Sequence, residues 1–157
     1  MKDDSRLFRL IYASTPSIAF GTTDQLVGEM IFASSLNNAR VGITGLLVAD
    51  DSFYLQLLEG DRQAVTDTFL RIAQDCRHSG IQLLDASDQR DRLFPNWAMS
   101  MLGASESRSR LLARHRKSAM FIPHELSATE AAQFFIDVSV TACTYQDLCP
   151  RTVIYID

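Results

Sequence analysis

Cysteine is scarce in these 157 residues: only Cys76, Cys143 and Cys149 occur. An odd count with no C-x-x-C pair excludes a disulfide framework and reads as free thiols in a reducing compartment. Long apolar runs are missing as well. None approaches the ~18 residues that a membrane span needs. The opening MKDDSRLFRLIYAS mixes acidic side chains with too short an apolar stretch for a secretion signal. A soluble, cytoplasmic protein without a membrane partner is expected. Basic charge is in deficit, with 15 Lys and Arg against 19 Asp and Glu and a net charge of −4. That argues against nucleic acid as the main partner, because phosphate recognition needs a basic footprint. No internal repeat, low-complexity segment or nicotinamide-binding fingerprint is present. No serine, cysteine or histidine has a base and an orienting acid at motif spacing, so hydrolysis is not suggested.

Hydrophobic residues make up 46% of the chain, ample for the core of one domain. LFRLIYAS (7–14) alternates as a strand, with Leu10, Tyr12 and Ser14 on one face. Thr22 and Gln25 form a capping-box pattern, and a helix should follow to about residue 38. Its stripe Val27, Ile31, Ser34, Asn38 turns polar towards the end, unlike a plain core face. ITGLLVA (43–49) and SFYLQLLE (52–59) read as a hairpin joined through Asp50-Asp51. Asp61 should cap a second helix over about 62–76, ended by HSG, with weaker strand character at 81–87 and a last strand at 97–102. The order β-α-β-β-α-β-β predicts an α+β, ferredoxin-like fold: a five-stranded sheet with two helices on one face. Because the hairpin strands are apolar on both sides, the other face needs a cover. Residues 107–145 can supply it. Ser127 and Glu130 form a capping box there, and Ala131, Phe134, Phe135 and Val138 lie on one stripe.

One amide stands out. Gln56 sits inside the greasy run FYLQLL, and an unpaired buried amide costs about 1–3 kcal/mol. Tyr54, Gln56 and Leu58 share a face, and in this fold Tyr12 is a cross-strand neighbour on it. If that face lies under the two helices, Asn38 comes close, as does the second helix, where Arg71 and Asp75 are spaced to pair. Apolar walls from Met30, Ile31 and Ile72 with a few amide and guanidinium groups suit a flat heteroaromatic ring.

The segments LIYAS, NNARVGITGLL, FYLQLLEGD, IAQDCRHSGIQLL and FPNWAM, in this order, resemble the BLUF domain, the blue-light sensor using flavin. The resemblance covers about residues 6–103, within a flavin-binding domain expected over 1–103. The tail, 104–157, resembles the helical extension of short stand-alone members of the PixD type and is expected to pack on the sheet as part of the same globular unit. A fused cyclase or phosphodiesterase is not expected at this length.

The resemblance implies a non-covalent flavin, usually FAD, with FMN or riboflavin as alternatives. It implies that Tyr12 donates an electron and that Gln56 links it to the ring. Asn38, with Ser34 and Asn37 beside it, binds on the first helix. Arg71 and Asp75 act as an arginine–carboxylate pair, and Arg77 and His78 end the second helix. Met30 and Ile72 sandwich the ring, and Met30 departs from the isoleucine of the family pattern. Trp97 and Met99 form the relay pair on the last strand. A sensor and not an enzyme is expected, homo-oligomeric and signalling through a separate regulatory protein. A flavin-dependent redox enzyme and a flavin-free ferredoxin-like interaction module are the alternatives. The basic run RSRLLARHRK (108–117) reads first as a solvated helix side, with a docking face as the other reading. The end, RTVIYID, carries no assignment.

Overall fold

The computed structural model describes residues 6–17, 24–142 and 153–154. Thr22, Cys143 and Cys149 lie outside them. The first apolar stretch forms β1 (Leu7–Pro16), followed by α1 (Asp24–Arg40). Gly42, at φ +70°, turns the chain after α1, a conformation that glycine adopts without a Cβ penalty. The hairpin follows as β2 (Thr44–Ala49) and β3 (Tyr54–Asp61), then α2 (Arg62–Ala73) and β4 (His78–Gln89). Asp61 caps α2 as its sequence position predicts, its carboxylate accepting the Ala64 N–H at 3.1 Å. A short β5 (Ser100–Leu102) precedes α3 (Glu106–His115), a 3-10 turn at Pro123–Glu125, α4 (Ala128–Ala142) and β6 (Val153–Ile154).

The sheet order is β4-β1-β3-β2-β5-β6. β1 pairs antiparallel with both β3 and β4, β2 pairs antiparallel with β3, and β5 runs parallel to β2 and to β6. The ferredoxin-like plan holds, and β6 adds a strand from the unassigned tail.

Three boundaries differ from expectation. α2 stops at Ala73 and not near 76, and HSG opens β4 instead of closing the helix. β4 spans 78–89 because β1 offers pairing from Leu7↔Gln89 to Pro16↔His78, which overrides the weak local pattern. The strand expected over 97–102 shrinks to three residues. Upstream of it, Trp97 is held to β2 by one bond, Gly45 N–H to the Trp97 carbonyl at 2.9 Å.

Two cores result, one on each sheet face. α2 packs on β1 and β3, and α1 lies over β2 and β5. Phe8, Leu10, Tyr12, Leu47, Tyr54, Leu58 and Met99 are buried together on this side. On the opposite side Ile11, Leu46, Val48, Leu55 and Leu57 pack with Phe94, Trp97, Leu111, Ala131, Phe134, Phe135 and Val138. The cover expected from the tail is therefore present. Its capping box is formed as well: Ser127 N–H donates to Glu130 Oε2 at 2.7 Å and Glu130 N–H to Ser127 Oγ at 3.2 Å. No helix among the described residues is long and apolar enough to cross a membrane.

Candidate functional site

Where α1 and α2 diverge above β3 the molecule has a cleft of about 370 Å³. α1 contributes Glu29, Met30, Ala33, Ser34, Asn37 and Asn38. β3 contributes Tyr54 and Gln56, and α2 contributes Thr68, Arg71 and Ile72. Asp75 and Arg77, in the turn after α2, complete the rim. A narrower annex of about 80 Å³ leads inwards to Tyr12, Leu47 and His78. Met30, Ser34, Asn37, Asn38, Arg71, Ile72, Asp75, Arg77 and His78, with Tyr12 and Gln56, therefore line one continuous site, and the Ile31 side chain lies outside the described residues. Glu29, Ala33, Tyr54 and Thr68 join them. Of these, Tyr54 and Thr68 were legible as same-face neighbours of Gln56 and Ile72.

Pairing across the sheet sets the centre of the site. Tyr12 lies directly opposite Gln56 in the β1–β3 register. The Tyr12 hydroxyl donates to Gln56 Oε1, and Gln56 Nε2 donates to Met99 Sδ at 3.2 Å. Both ends of the buried amide are thus engaged, which answers the cost of placing it in an apolar strand. Tyr12 is 3% exposed, and its ring packs against Phe69 with centroids 5.4 Å apart. Burial, with smaller contributions from Asp75 and Tyr54, pushes its phenol well above the usual tyrosine range, so it stays protonated as a donor.

His78 closes the inner end. Its Nε2 lies 2.7 Å from the Ile72 carbonyl, which can only accept, so Nε2 carries the proton. In the neutral ring Nδ1 then accepts from the Ser14 hydroxyl at 2.7 Å.

The expected Arg71–Asp75 pair is not formed. α2 ends before residue 75, so the four-residue helical spacing does not carry that far. Asp75 instead binds Arg77: the backbone N–H and Nε each donate to Oδ1 at 2.9 Å, and Nη2 donates to Oδ2. These bonds hold the Asp75 carboxyl down to about 2. Arg77 and His78 accordingly belong to the turn and the start of β4, and not to the end of the helix.

Asn38, 2% exposed, donates from Nδ2 to the Ala98 carbonyl at 2.9 Å and so ties α1 to the segment before β5. Of the relay pair, Met99 reaches Gln56. Trp97 turns to the opposite face and stacks on Phe94, with centroids 5.3 Å apart and planes at 17°. A structural residue that sequence reasoning missed sits beneath: Glu59 is fully buried and accepts the Leu93 and Phe94 N–H groups at 2.9 and 2.7 Å. Its only sequence signal is a charge at the end of an apolar strand.

The donor set fits a flavin. The volume falls in the range of small-molecule sites, roughly 300–1,000 Å³. Met30 and Ile72 supply apolar walls, and amide, guanidinium and carboxylate groups ring them. Among the described residues no cluster of histidine, cysteine and carboxylate side chains is placed to hold a metal.

Comparison with known proteins agrees. The sequence profile of BLUF, "Sensors of blue-light using FAD", matches residues 7–100. The chain is 29% identical over 98 residues to the photoactivated adenylate cyclase subunit beta of Euglena gracilis, an alignment covering 62% of this chain and 11% of that protein. The chain thus spans about a tenth of the curated relatives that it matches. Among solved structures, the dark state of the BLUF protein BlrB superposes with a TM-score of 0.71 at 28% identity, covering 87% of this chain and 97% of that one. The photo-activated state of BlsA superposes with a TM-score of 0.77, covering 85% and 95%; at 23% identity it speaks for the fold alone. With a cleft of the right chemistry and a family match over most of the domain, this chain belongs to the BLUF family of blue-light sensors that use flavin.

Proposed function

We propose that this chain is a photoreceptor in which Tyr12 and Gln56 form the light-driven switch, and that its output passes to a separate partner protein. The observation that carries the reading is the buried series Tyr12–Gln56–Met99, in which a phenol, an amide and a thioether are bonded in line beside the cleft. FAD is the proposed ligand, with FMN and riboflavin sharing its ring. When bound, the flavin supplies blue-light absorption and one-electron chemistry.

The residues around it have separable tasks. Met30 and Ile72 hold the ring from its two faces and keep water out. Asn38, with Nδ2 committed to Ala98, offers Oδ1 to a ring N–H. Arg71 stands on the rim with its guanidinium available for a carbonyl or a phosphate. Tyr12 is the electron donor, and its hydroxyl proton moves along the existing bond to Gln56 Oε1. The carbonyl and NH2 ends of an amide are nearly isosteric, so Gln56 can exchange donor for acceptor with little movement of heavy atoms. In a buried site each such bond counts for more than in water. Met99 Sδ, bonded to the amide at present, loses or changes that bond when the ends exchange.

Output through another protein, by a homo-oligomer without activity of its own, is part of the same reading; a pull-down compared in light and dark tests it. The test is optical. Purified protein should be yellow and should show a small, reversible red shift of its flavin bands under blue light. Gln56→Leu and Tyr12→Phe should each retain flavin and lose the red-shifted state. Normal cycling in either variant would refute the residue roles, bleaching to reduced flavin would favour a redox enzyme, and a colourless protein that takes up no flavin would leave a binding module. Chromatography of the released cofactor separates FAD from FMN and riboflavin.

A further inference from the structure

The switch leaves one phenol in the cleft unused. Tyr54 stands on β3 two residues before Gln56, so the strand period puts both side chains on one face. It is 5% exposed and borders both the main cleft and the annex. Its ring lies near His78, with centroids 6.3 Å apart. Whereas the Tyr12 hydroxyl is committed to Gln56, the Tyr54 hydroxyl has no hydrogen-bond partner among the described residues. Its oxygen is not among the enclosed side-chain atoms that lack a partner, which are Arg9 Nε and Arg108 Nε, so it opens onto the cleft, and a ligand that displaces solvent there must supply its acceptor. Burial raises the Tyr54 phenol above its ordinary range, with Arg77 opposing and Asp75 adding to the effect, so it remains a donor. What it lacks is an acceptor, and the space in front of it is the ligand site.

We propose that Tyr54 is a ligand-contacting residue whose hydroxyl donates to an acceptor on the part of the flavin common to riboflavin and FAD. The inference rests on the reading that the cleft holds a flavin. Side chains two residues apart on a strand stand roughly 7 Å from each other. Gln56 and Tyr54 therefore offer two donors along one line on the floor of the cleft, a spacing that a tricyclic ring and the start of its side chain can meet together. The contact adds a polar anchor on β3 to those on α1 and α2.

Tyr54→Phe removes only the oxygen and keeps the aromatic wall. Apoprotein of the wild type and of this variant is titrated with riboflavin and, separately, with FAD, following the change in flavin fluorescence, and a thermal melt checks that the fold is kept. The expected result is a loss of affinity of roughly 3- to 10-fold, the range for one neutral hydrogen bond, and equal for both ligands. Unchanged affinity for both would overturn the proposal and leave Tyr54 as a wall. A loss confined to FAD would overturn it too, because the contact would then be with the adenylate tail. A wild-type chain that binds neither ligand removes the flavin reading itself and the inference with it.

Discussion

Gln56 shows how much a single side chain can reveal. Strand alternation is a local property, so its face, and its partnership with Tyr12 once the strand order is known, follow from spacing alone. Asp75 shows the opposite. Its spacing from Arg71 suggests a helical pair, yet the place where α2 ends is decided by the turn into β4, and Arg77 takes the carboxylate. That pairing has a pH signature. Asp75 is held at about 2, below the roughly 3.9 of an unfolded aspartate. Its contribution to stability is therefore complete above about pH 4 and is lost as pH falls towards 2. Asp75→Asn should lower stability at neutral pH and flatten the dependence of the urea midpoint on pH across that acid window. An unchanged slope would show that other carboxylates set it.

At the scale of elements, the hairpin, both helices over the cleft and the amphipathic stripe of α4 were legible because each carries its own period. The extent of β4 and the shrinkage of the last strand were not, because they depend on partners far away in sequence. Glu59 is one such determinant. Besides the amides of Leu93 and Phe94, it takes the Thr44 hydroxyl at 3.2 Å, and Arg92 donates to the Glu59 carbonyl at 3.0 Å and to the Gly42 carbonyl at 2.7 Å. This cluster anchors the start of the segment that delivers Met99 to Gln56. Glu59→Ala strands two amide donors in a buried setting and should cost about 3 kcal/mol in a denaturant melt, as the removal of a multiply bonded buried group does. The dark-state flavin spectrum should shift as well, since Met99 loses its support. Gly45 guards the same region. A Cβ there would lie 2.0 Å from the Leu57 carbonyl oxygen, so no other residue fits without moving β3.

For the whole molecule, the two-faced apolarity of β2 and β3 is what required a second layer, and the sequence states that requirement more clearly than it states the path of the tail. Phe134 and Phe135 are fully buried against Phe94 and the far side of the sheet. A chain truncated after residue 103 should therefore aggregate or bind hydrophobic dyes strongly, as the exposed faces of Ile11, Leu55 and Leu57 demand. Recovery of a monodisperse, cooperatively melting 1–103 fragment would show that the family-matched region stands alone.

Among the described residues, β5 meets β2 at two paired positions, Leu46↔Ser100 and Leu47↔Met101, and β6 pairs with β5. The sheet thus ends in a margin held far more lightly than its centre. Met99 stands at the inner border of that margin, with its sulfur on the Gln56 amide. A row of side chains therefore runs across the grain of the sheet, from Tyr12 on β1 through β3 to the joint at which the outer two strands hang. In the proposed switch, a reversal of that amide would act first on the Met99 contact at the border of those strands, and not on the paired ladder between β1 and β3.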